Sequence, residues 1–226
     1  MPEPVNRNAA QPVDGRRRWR LPLPWRPRCL GCGEAARPAL DLCPQCHAGL
    51  PWCRPAAITA AAPLHAVVAS FVYAPPVDLW VQRLKFHRDL AAGRLLSLLM
   101  LEACTDAGRP AALTPIPLHR ARLRQRGYDQ ALELARPLAR QLRIPLRADL
   151  LQRARNTAPQ SLQQHASERH ANLRGAFAAS HGIAMPTHVA LVDDVMTTGA
   201  TLRAAAQALH DAGVQRVDAW VCAHVP

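Results

Sequence analysis

The chain alternates short apolar runs, which predict strands, with longer segments of helical periodicity. Strands are predicted at residues 66–73, 112–116, 148–154, 189–192 and 216–222. Helices are predicted to begin at Pro75-Pro76 and to span residues 89–104, 130–143 and 202–211. Because strands and helices of this length alternate along the chain, we expect an α/β fold in which helices flank a mostly parallel sheet.

The N-terminal quarter of the chain differs in composition from the rest and divides into three segments. Residues 1–28 are rich in Pro, Arg and Asn without periodicity, which predicts a disordered basic tail. Residues 29–55 hold five of the seven cysteines and predict a small cysteine module. The Pro- and Ala-rich residues 56–64 predict a linker, which leaves residues 65–226 for the α/β domain.

The composition is strongly basic. The 226 residues carry a net charge of +12, and 27 of the 28 basic residues are arginine. Guanidinium groups bind phosphate in a bidentate geometry, so anionic partners are expected. A high-GC genome that favours arginine codons would produce the same composition, and the charge alone does not decide between these explanations.

The apolar runs are too short for a membrane protein. A membrane-spanning helix needs about 20 apolar residues, whereas the best run, residues 95–101, is interrupted by Ser97. Basic residues near the N-terminus are followed by the proline-broken residues 21–25 instead of an apolar signal core. We therefore expect a cytoplasmic protein without membrane insertion, in which cysteines bind metal or stay as free thiols.

Four of the cysteines form two C-x-x-C pairs that are ten residues apart, namely Cys29, Cys32, Cys43 and Cys46. Two such turns together present four thiolates to one ion, so a structural zinc site is predicted. Two alternatives stay open. Cys43 to His47 also matches the C-x-x-C-H pattern of c-type haem attachment, and either pair could be a redox pair. Cys53 and His47 are additional candidate ligands.

An acidic pair follows the predicted strand at residues 189–192. Asp193 and Asp194 precede a loop of threonine and glycine, and the loop opens a helix. Free N–H groups at such a helix N-terminus bind phosphate, while carboxylates suit ribose hydroxyls and a divalent metal. The pattern therefore predicts a sugar-phosphate site. The absence of a lysine after Gly199 excludes a P-loop, and an ordinary capped helix N-terminus is the alternative.

A second candidate site is the segment 115–130, which follows a predicted strand and precedes a predicted helix. It carries four arginines and a histidine, a density that suits a multiply charged anion such as pyrophosphate. A solvent-exposed basic turn is the alternative. The candidate ligands of the anion are Pro117, Leu118, His119, Arg120, Arg122, Arg124 and Arg126.

Residues 192–201 resemble the phosphoribosyl-pyrophosphate motif of type I phosphoribosyltransferases. The resemblance narrows to the ComF family through the cysteine module, Leu84-Lys85-Phe86, Pro115 to Gln130 and Arg169 to Phe177. Tyr128-Asp129 departs from the Phe-Asn that is usual in that family. The resemblance covers residues 29–221 and implies a type I phosphoribosyltransferase-like fold with a small N-terminal zinc module.

This resemblance implies a role for each part of the motif. Asp193 and Asp194 would contact the ribose 2′- and 3′-hydroxyls and serve as catalytic residues. The 5′-phosphate would bind Thr197, Thr198, Gly199, Ala200 and Thr201. Mg²⁺ would bridge the pyrophosphate and the ribose hydroxyls. The polar residues 160–175, which include Arg169 and Arg174, are a candidate closing loop.

Two functions follow from the resemblance. The first is binding of phosphoribosyl pyrophosphate with Mg²⁺, with pentosyl transfer as the candidate reaction and a role in natural competence, DNA uptake or nucleotide salvage. The alternative is a non-catalytic accessory protein that binds nucleotides or single-stranded DNA, and its candidate stacking residues are Trp52, Tyr73, Trp80, Phe86 and Tyr128. Further candidate partners are proteins of DNA uptake and a second copy of the chain. No motif identifies the acceptor of a pentosyl group.

Overall fold

A four-stranded parallel sheet forms the centre of the chain, of which the computed structural model describes residues 27–37, 39–54, 58–154 and 175–226. The sheet consists of β1 (Ala66–Val72), β2 (Ala112–Pro115), β5 (His188–Met196) and β6 (Arg216–His224). Their order across the sheet is β1-β6-β5-β2, and all neighbouring strands are parallel. Two short strands, β3 (Leu151–Arg153) and β4 (Phe177–Ala179), form a separate antiparallel ribbon.

Six helices lie in the described ranges: α1 (Pro44–Ala48), α2 (Val77–Phe86), α3 (Leu90–Cys104), α4 (Arg120–Arg126), α5 (Gln130–Leu142) and α6 (Ala200–Asp211). Local capping fixes where several of them begin. The Asp89 carboxylate accepts a hydrogen bond from the Ala92 N–H at the start of α3, and Asp129 does the same for α5. Gly127 ends α4 at a φ of 86°, a left-handed conformation that glycine adopts without strain.

Both faces of the sheet are buried, as a parallel sheet requires. On one face, α3 packs against β1 and β6, α5 packs against β5 and β2, and α2 packs on α3. These helices bury large side chains such as Phe71, Leu96, Leu138 and Trp220. On the other face, α6 and the β3–β4 ribbon cover Leu191 and Val217. The predicted α/β fold with a mostly parallel sheet is therefore confirmed.

The cysteine module packs directly against the edge of this sheet. The Cys53 N–H donates to the Ser70 carbonyl at 2.9 Å, and the Val72 N–H donates to the Pro51 carbonyl at 2.8 Å. Leu42 and Leu50 of the module are buried in the same core as α2 and α3. The module therefore covers the end of edge strand β1 and shares its core with the α/β domain.

Three predicted elements differ from the structure. Residues 148–154 do not return to the central sheet, because β3 pairs with β4 instead. The basic segment contains the helix α4 in its middle. Strand β5 continues to Met196, so the acidic pair lies within the strand, because β6 extends equally far and keeps pairing with it up to His224. The predicted tail up to residue 26 and residues 160–174 of the predicted closing loop lie outside the described residues.

Helix α2 approaches α3 unusually closely at a glycine. A Cβ atom on Gly93 would lie 2.8 Å from Cδ1 of Leu84, and Leu84 is fully buried. The missing side chain therefore lets the C-terminal turn of α2 lie against α3, and this contact fixes the position of the next two residues, Lys85 and Phe86. Among the described helices, none is both long enough and apolar enough to cross a bilayer.

Candidate functional site

A cavity of about 650 Å³ opens at the carboxyl ends of β2 and β5. Ligands of open parallel α/β sheets bind at this edge, because loops and helix N-termini converge there. Each flanking element contributes side chains to the wall of the cavity. They include Lys85, Phe86, Arg122, Arg126, Gln130, Arg153, Asp193 and Asp194. The cavity therefore combines carboxylates, guanidinium groups and one ammonium group.

The acidic pair lies in this wall, and its two carboxyl groups differ in environment. Asp194 is 8% exposed, and its Oδ2 lies 3.0 Å from Nζ of Lys85. Asp193 accepts a hydrogen bond from the Asp194 N–H at 2.9 Å. Burial and the neighbouring charge of Asp194 together raise the pKa of the Asp193 carboxyl to about 8. Asp193 thus needs an added cation or hydrogen-bond donors to become a stable carboxylate.

Lys85, which belongs to the Leu84-Lys85-Phe86 motif, forms an ion pair with Asp194. Burial works against the charge of its ammonium group, but the carboxylate of Asp194 raises the pKa of Lys85 above its usual value. Lys85 is the single lysine among the 28 basic residues of the chain. Arginine occupies the other 27 basic positions, so the lysine at this position indicates a requirement for a compact ammonium group.

A third carboxyl group, Asp129, anchors the basic loop. One of its oxygens accepts from the Leu118 N–H at 2.9 Å, and the other accepts from the Leu132 N–H at 3.1 Å. Burial raises the pKa of Asp129, while these backbone donors oppose the change. An asparagine has only one acceptor oxygen, so the aspartate that departs from the family pattern can hold both backbone donors through its two oxygens.

The structure brings some of the predicted anion ligands into the cavity and leaves others outside. Arg122 and Arg126 line the cavity together with Pro117 and Leu118. His119 instead caps α4, where its Nδ1 accepts from the Ala121 N–H. Arg120 and Arg124, which belong to the same helix, are exposed and do not line the cavity.

Two further polar residues of the cavity were missed by the sequence analysis. Burial and the nearby charge of Arg122 lower the pKa of Arg153, so a third guanidinium group lies close to the basic helix. Gln130 is 3% exposed, and its Nε2 has no hydrogen-bond partner among the described residues. A buried amide without a partner is uncommon, and at a cavity wall it indicates a ligand that accepts its hydrogen bond.

The predicted phosphate loop is divided between two cavities. Thr201 lines the large cavity, whereas Thr197, Thr198 and Gly199 line a neighbouring one of about 220 Å³. Gly199 begins α6 at a φ of 69°, and Arg203 supports the loop by donating to the Thr198 carbonyl at 2.8 Å. Ala200 is buried in the first turn of α6 and lines neither cavity.

The four cysteines of the predicted zinc site come together. The sulfur atoms of Cys29, Cys32, Cys43 and Cys46 all lie within 4.8 Å of one another. The Cys32 and Cys43 sulfurs are 3.7 Å apart, close to the spacing of about 3.8 Å in a tetrahedral site with Zn–S bonds of about 2.3 Å. The cluster therefore fits a zinc ion.

The surroundings of the cysteine cluster also favour a cation. Burial opposes ionisation of Cys29, but hydrogen bonds from the backbone N–H groups of Cys43, Cys32 and Gly31 lower the pKa of its thiol to about 6. Burial and the neighbouring cysteine sulfurs raise the pKa of Cys46 to about 12. Four thiolates can therefore form together only when a cation compensates their charge.

The two additional candidate ligands lie outside the cysteine cluster. The Cys53 thiol contacts the carbonyl oxygen of Arg54 at 3.7 Å. His47 Nε2 lies 2.7 Å from a carboxylate oxygen of Glu102 on α3. His47 therefore links the module to the α/β domain, and Cys53 offers a matched control for the four clustered cysteines.

Known proteins are similar to this chain over most of its length. Residues 129–226 match the phosphoribosyl transferase domain family. The chain is 35% identical over 203 residues to DNA utilization protein YhgH of Escherichia coli O157:H7. This match covers 85% of this chain and 88% of the relative. It is 36% identical over 156 residues to Competence protein F of Haemophilus influenzae. This match covers 66% of this chain and 68% of the relative. The chain belongs to the ComF family.

In this ComF-family protein, the cavity combines residues from inside and outside the matched domain. The phosphoribosyl transferase match begins at Asp129 and contains the acidic pair and Thr201. Lys85 and Arg122 precede the match, although they line the same cavity. The site of the ComF-family protein therefore depends on α2 and α4 as much as on the matched domain.

We expect the purified protein to contain about one zinc ion per chain, measured by elemental analysis. Cys43→Ser should abolish the zinc content and lower the melting temperature of the whole chain, because the module shares a core with the α/β domain. Cys53→Ser should keep the zinc, since Cys53 lies outside the cluster. Loss of zinc in both variants, or in neither, would contradict the four-cysteine site.

Proposed function

We propose that this ComF-family protein binds phosphoribosyl pyrophosphate together with Mg²⁺ in the cavity of about 650 Å³. The observation that carries the proposal is that an acidic pair and four arginines line one cavity, namely Arg88, Arg122, Arg126 and Arg153. Carboxylates accept hydrogen bonds from ribose hydroxyls, and the guanidinium groups of Arg122, Arg126 and Arg153 match the oxygens of a pyrophosphate. A single ligand that carries both a ribose and a pyrophosphate would contact both the carboxylates and the guanidinium groups.

The local surroundings of the acidic pair support a divalent cation. Asp193 and Asp194 are adjacent in the cavity wall, and Nζ of Lys85 lies 3.0 Å from Oδ2 of Asp194. Oxygen atoms are the ligands that Mg²⁺ prefers, so Asp193 and Asp194 would hold it together with oxygens of the substrate. When bound, Mg²⁺ would supply positive charge for the leaving pyrophosphate.

The 5′-phosphate of the substrate is assigned to residues 197–201 in this proposal. The first turn of α6 has unpaired backbone N–H groups, and the positive end of the helix dipole lies there. Thr201 is the member of this loop that reaches the large cavity. Gly199 supports this role, because its positive φ turns the chain sharply from β5 into the helix.

Pentosyl transfer is the reaction that such a site would perform. The bond between the anomeric carbon and the pyrophosphate oxygen breaks, and a bond forms between that carbon and an acceptor nucleophile. Asp193 and Asp194 would stabilise the positive charge that develops on the ribose, and the cavity arginines would stabilise the departing pyrophosphate. Release of pyrophosphate in the presence of a panel of nucleobases tests whether turnover occurs.

The names of the relatives suggest the cellular role. They are called Competence protein F and DNA utilization protein. We further propose that this chain acts in the cytoplasm during competence or the use of incoming DNA. A second candidate function is a non-catalytic accessory protein that binds nucleotides or single-stranded DNA, and the exposed Phe86 beside the arginines of the cavity favours it.

Asp194→Asn should weaken binding of phosphoribosyl pyrophosphate with Mg²⁺ by at least about tenfold, because the ribose loses a carboxylate and Lys85 loses its charged partner. Titration calorimetry measures the change. Asp149→Asn is the control, since Asp149 is exposed and pairs with Arg147 away from the cavity. No binding to the wild type, or equal affinity in all three proteins, would rule out the proposed site.

Lys85→Arg should also weaken binding of the same ligand, by about tenfold, because a planar guanidinium group does not fit where a compact ammonium group pairs with Asp194. The control is the reverse exchange on the same helix, Arg83→Lys, which keeps a cation beside Asp89. Circular dichroism confirms folding of both variants. Wild-type affinity in Lys85→Arg would show that any cation suffices at this position.

Gln130→Met should reduce the rise in melting temperature that phosphoribosyl pyrophosphate and Mg²⁺ produce. The melting temperature of the free protein should stay the same or rise, because the exchange removes a buried amide without a partner. Gln152→Met, at an exposed glutamine, serves as the control. A free protein of lower stability with an undiminished ligand effect would assign Gln130 a purely structural role.

A further inference from the structure

Three consecutive residues at the end of α2 face three different environments. Leu84 is fully buried and lies against Gly93 of α3. Lys85 extends to Asp194 in the wall of the cavity, with 3.0 Å between Nζ and Oδ2. Phe86 lies at the same cavity but is 68% exposed. The buried leucine thus fixes the helix end that places both a cation and an aromatic ring at the site.

The exposure of Phe86 distinguishes it from the other candidate stacking residues. Trp80 is 2% exposed, Trp52 packs on Phe71 with ring centroids 4.7 Å apart, and the hydroxyl of Tyr128 donates to the Leu84 carbonyl. Of the eight aromatic residues in the part of the chain that the structure describes, Phe86 alone is exposed. A phenylalanine exposed at a cavity wall indicates a surface that a ligand covers.

The groups around the Phe86 ring are cationic. The guanidinium carbon of Arg126 lies 5.8 Å from the ring centroid, an arrangement in which the cation attracts the ring face. Arg88 and Arg122 line the same cavity. An aromatic ring beside several guanidinium groups is the combination with which proteins bind a nucleobase and the phosphates attached to it.

We propose that Phe86 is a stacking platform for a nucleobase at the cavity that holds the phosphoribosyl group. Phe86 follows Lys85 directly, so the base would lie next to the ribose site at the acidic pair. This inference rests on the proposed phosphoribosyl site and extends it, because it gives the ligand or acceptor a chemical class, a purine or pyrimidine ring. The base belongs either to a mononucleotide or to a single DNA strand.

The experiment compares ligands with and without a base. Ribose 5-phosphate and nucleoside 5′-monophosphates are titrated into wild type, Phe86→Ala, Phe86→Trp and the control Leu79→Ala. Leu79 lies on the same helix and is 55% exposed, but it does not line the cavity. In the wild type the base should increase affinity by about 5- to 150-fold, the range of base–aromatic stacking. Phe86→Ala should lose this gain, whereas Phe86→Trp and Leu79→Ala should keep it.

A second series identifies the source of the base. An oligothymidylate and an abasic strand of equal length are titrated into the same four proteins. A Phe86-dependent preference for the oligothymidylate with none for mononucleotides identifies the base of a DNA strand as the ligand. The reverse result identifies a mononucleotide or its base. If Phe86→Ala retains the base preference in both series, or if neither series shows one in the wild type, the stacking platform is wrong.

Failure of this inference is distinguishable from failure of the proposed function. Phosphoribosyl pyrophosphate has no base, so its binding with Mg²⁺ to the wild type tests the phosphoribosyl site independently of the stacking platform. Wild-type binding of that ligand without any gain from a base would reject the platform and leave the phosphoribosyl site standing. Absence of phosphoribosyl pyrophosphate binding in the wild type would reject the proposed function itself.

Discussion

The ion pair between Lys85 and Asp194 connects helix α2 to the acidic pair in the cavity wall. It joins the end of α2 to the carboxyl end of β5, with 3.0 Å between the charged atoms. Two acidic residues side by side in a buried strand repel each other, and one ammonium group compensates only one of them. The strand therefore presents to the cavity one carboxylate that Lys85 compensates and one carboxyl group, that of Asp193, whose ionised form burial disfavours. The proposed binding of ribose hydroxyls and a divalent cation rests on this difference.

The position of Lys85 depends in turn on ordinary core packing. Gly93 lets α3 approach Leu84, and the buried leucine fixes the helix end from which Lys85 and Phe86 extend. The cysteine module contributes to the same core, because Leu42 and Leu50 pack with residues of α2 and α3. The cysteine cluster at one edge of the sheet and the cavity at its carboxyl end are thus supported by one continuous set of buried side chains.

Much of the fold and part of the site could be predicted from local patterns. Asp89 and Asp129 precede helices as capping residues, and two C-x-x-C pairs specify a tetrahedral sulfur cluster. Helix α4 was missed because its basic residues lack an apolar face that would mark a helix. Residues 148–154 have the pattern of a strand, but a pattern does not state which strand is the partner, and β3 pairs with β4 outside the central sheet.

The sequence by itself determined the class of fold, the four clustered cysteines and the acidic pair, because spacing along the chain encodes periodicity, turns and ligand sets. Only the tertiary structure decided which arginines share a cavity, since Arg122 and Arg126 line it while Arg120 and Arg124 of the same helix do not. The tertiary structure also placed Lys85, Gln130 and Arg153 in the same cavity as the acidic pair. The physical reason is that these residues are far apart in the chain, and only packing of the helices on the sheet brings them together.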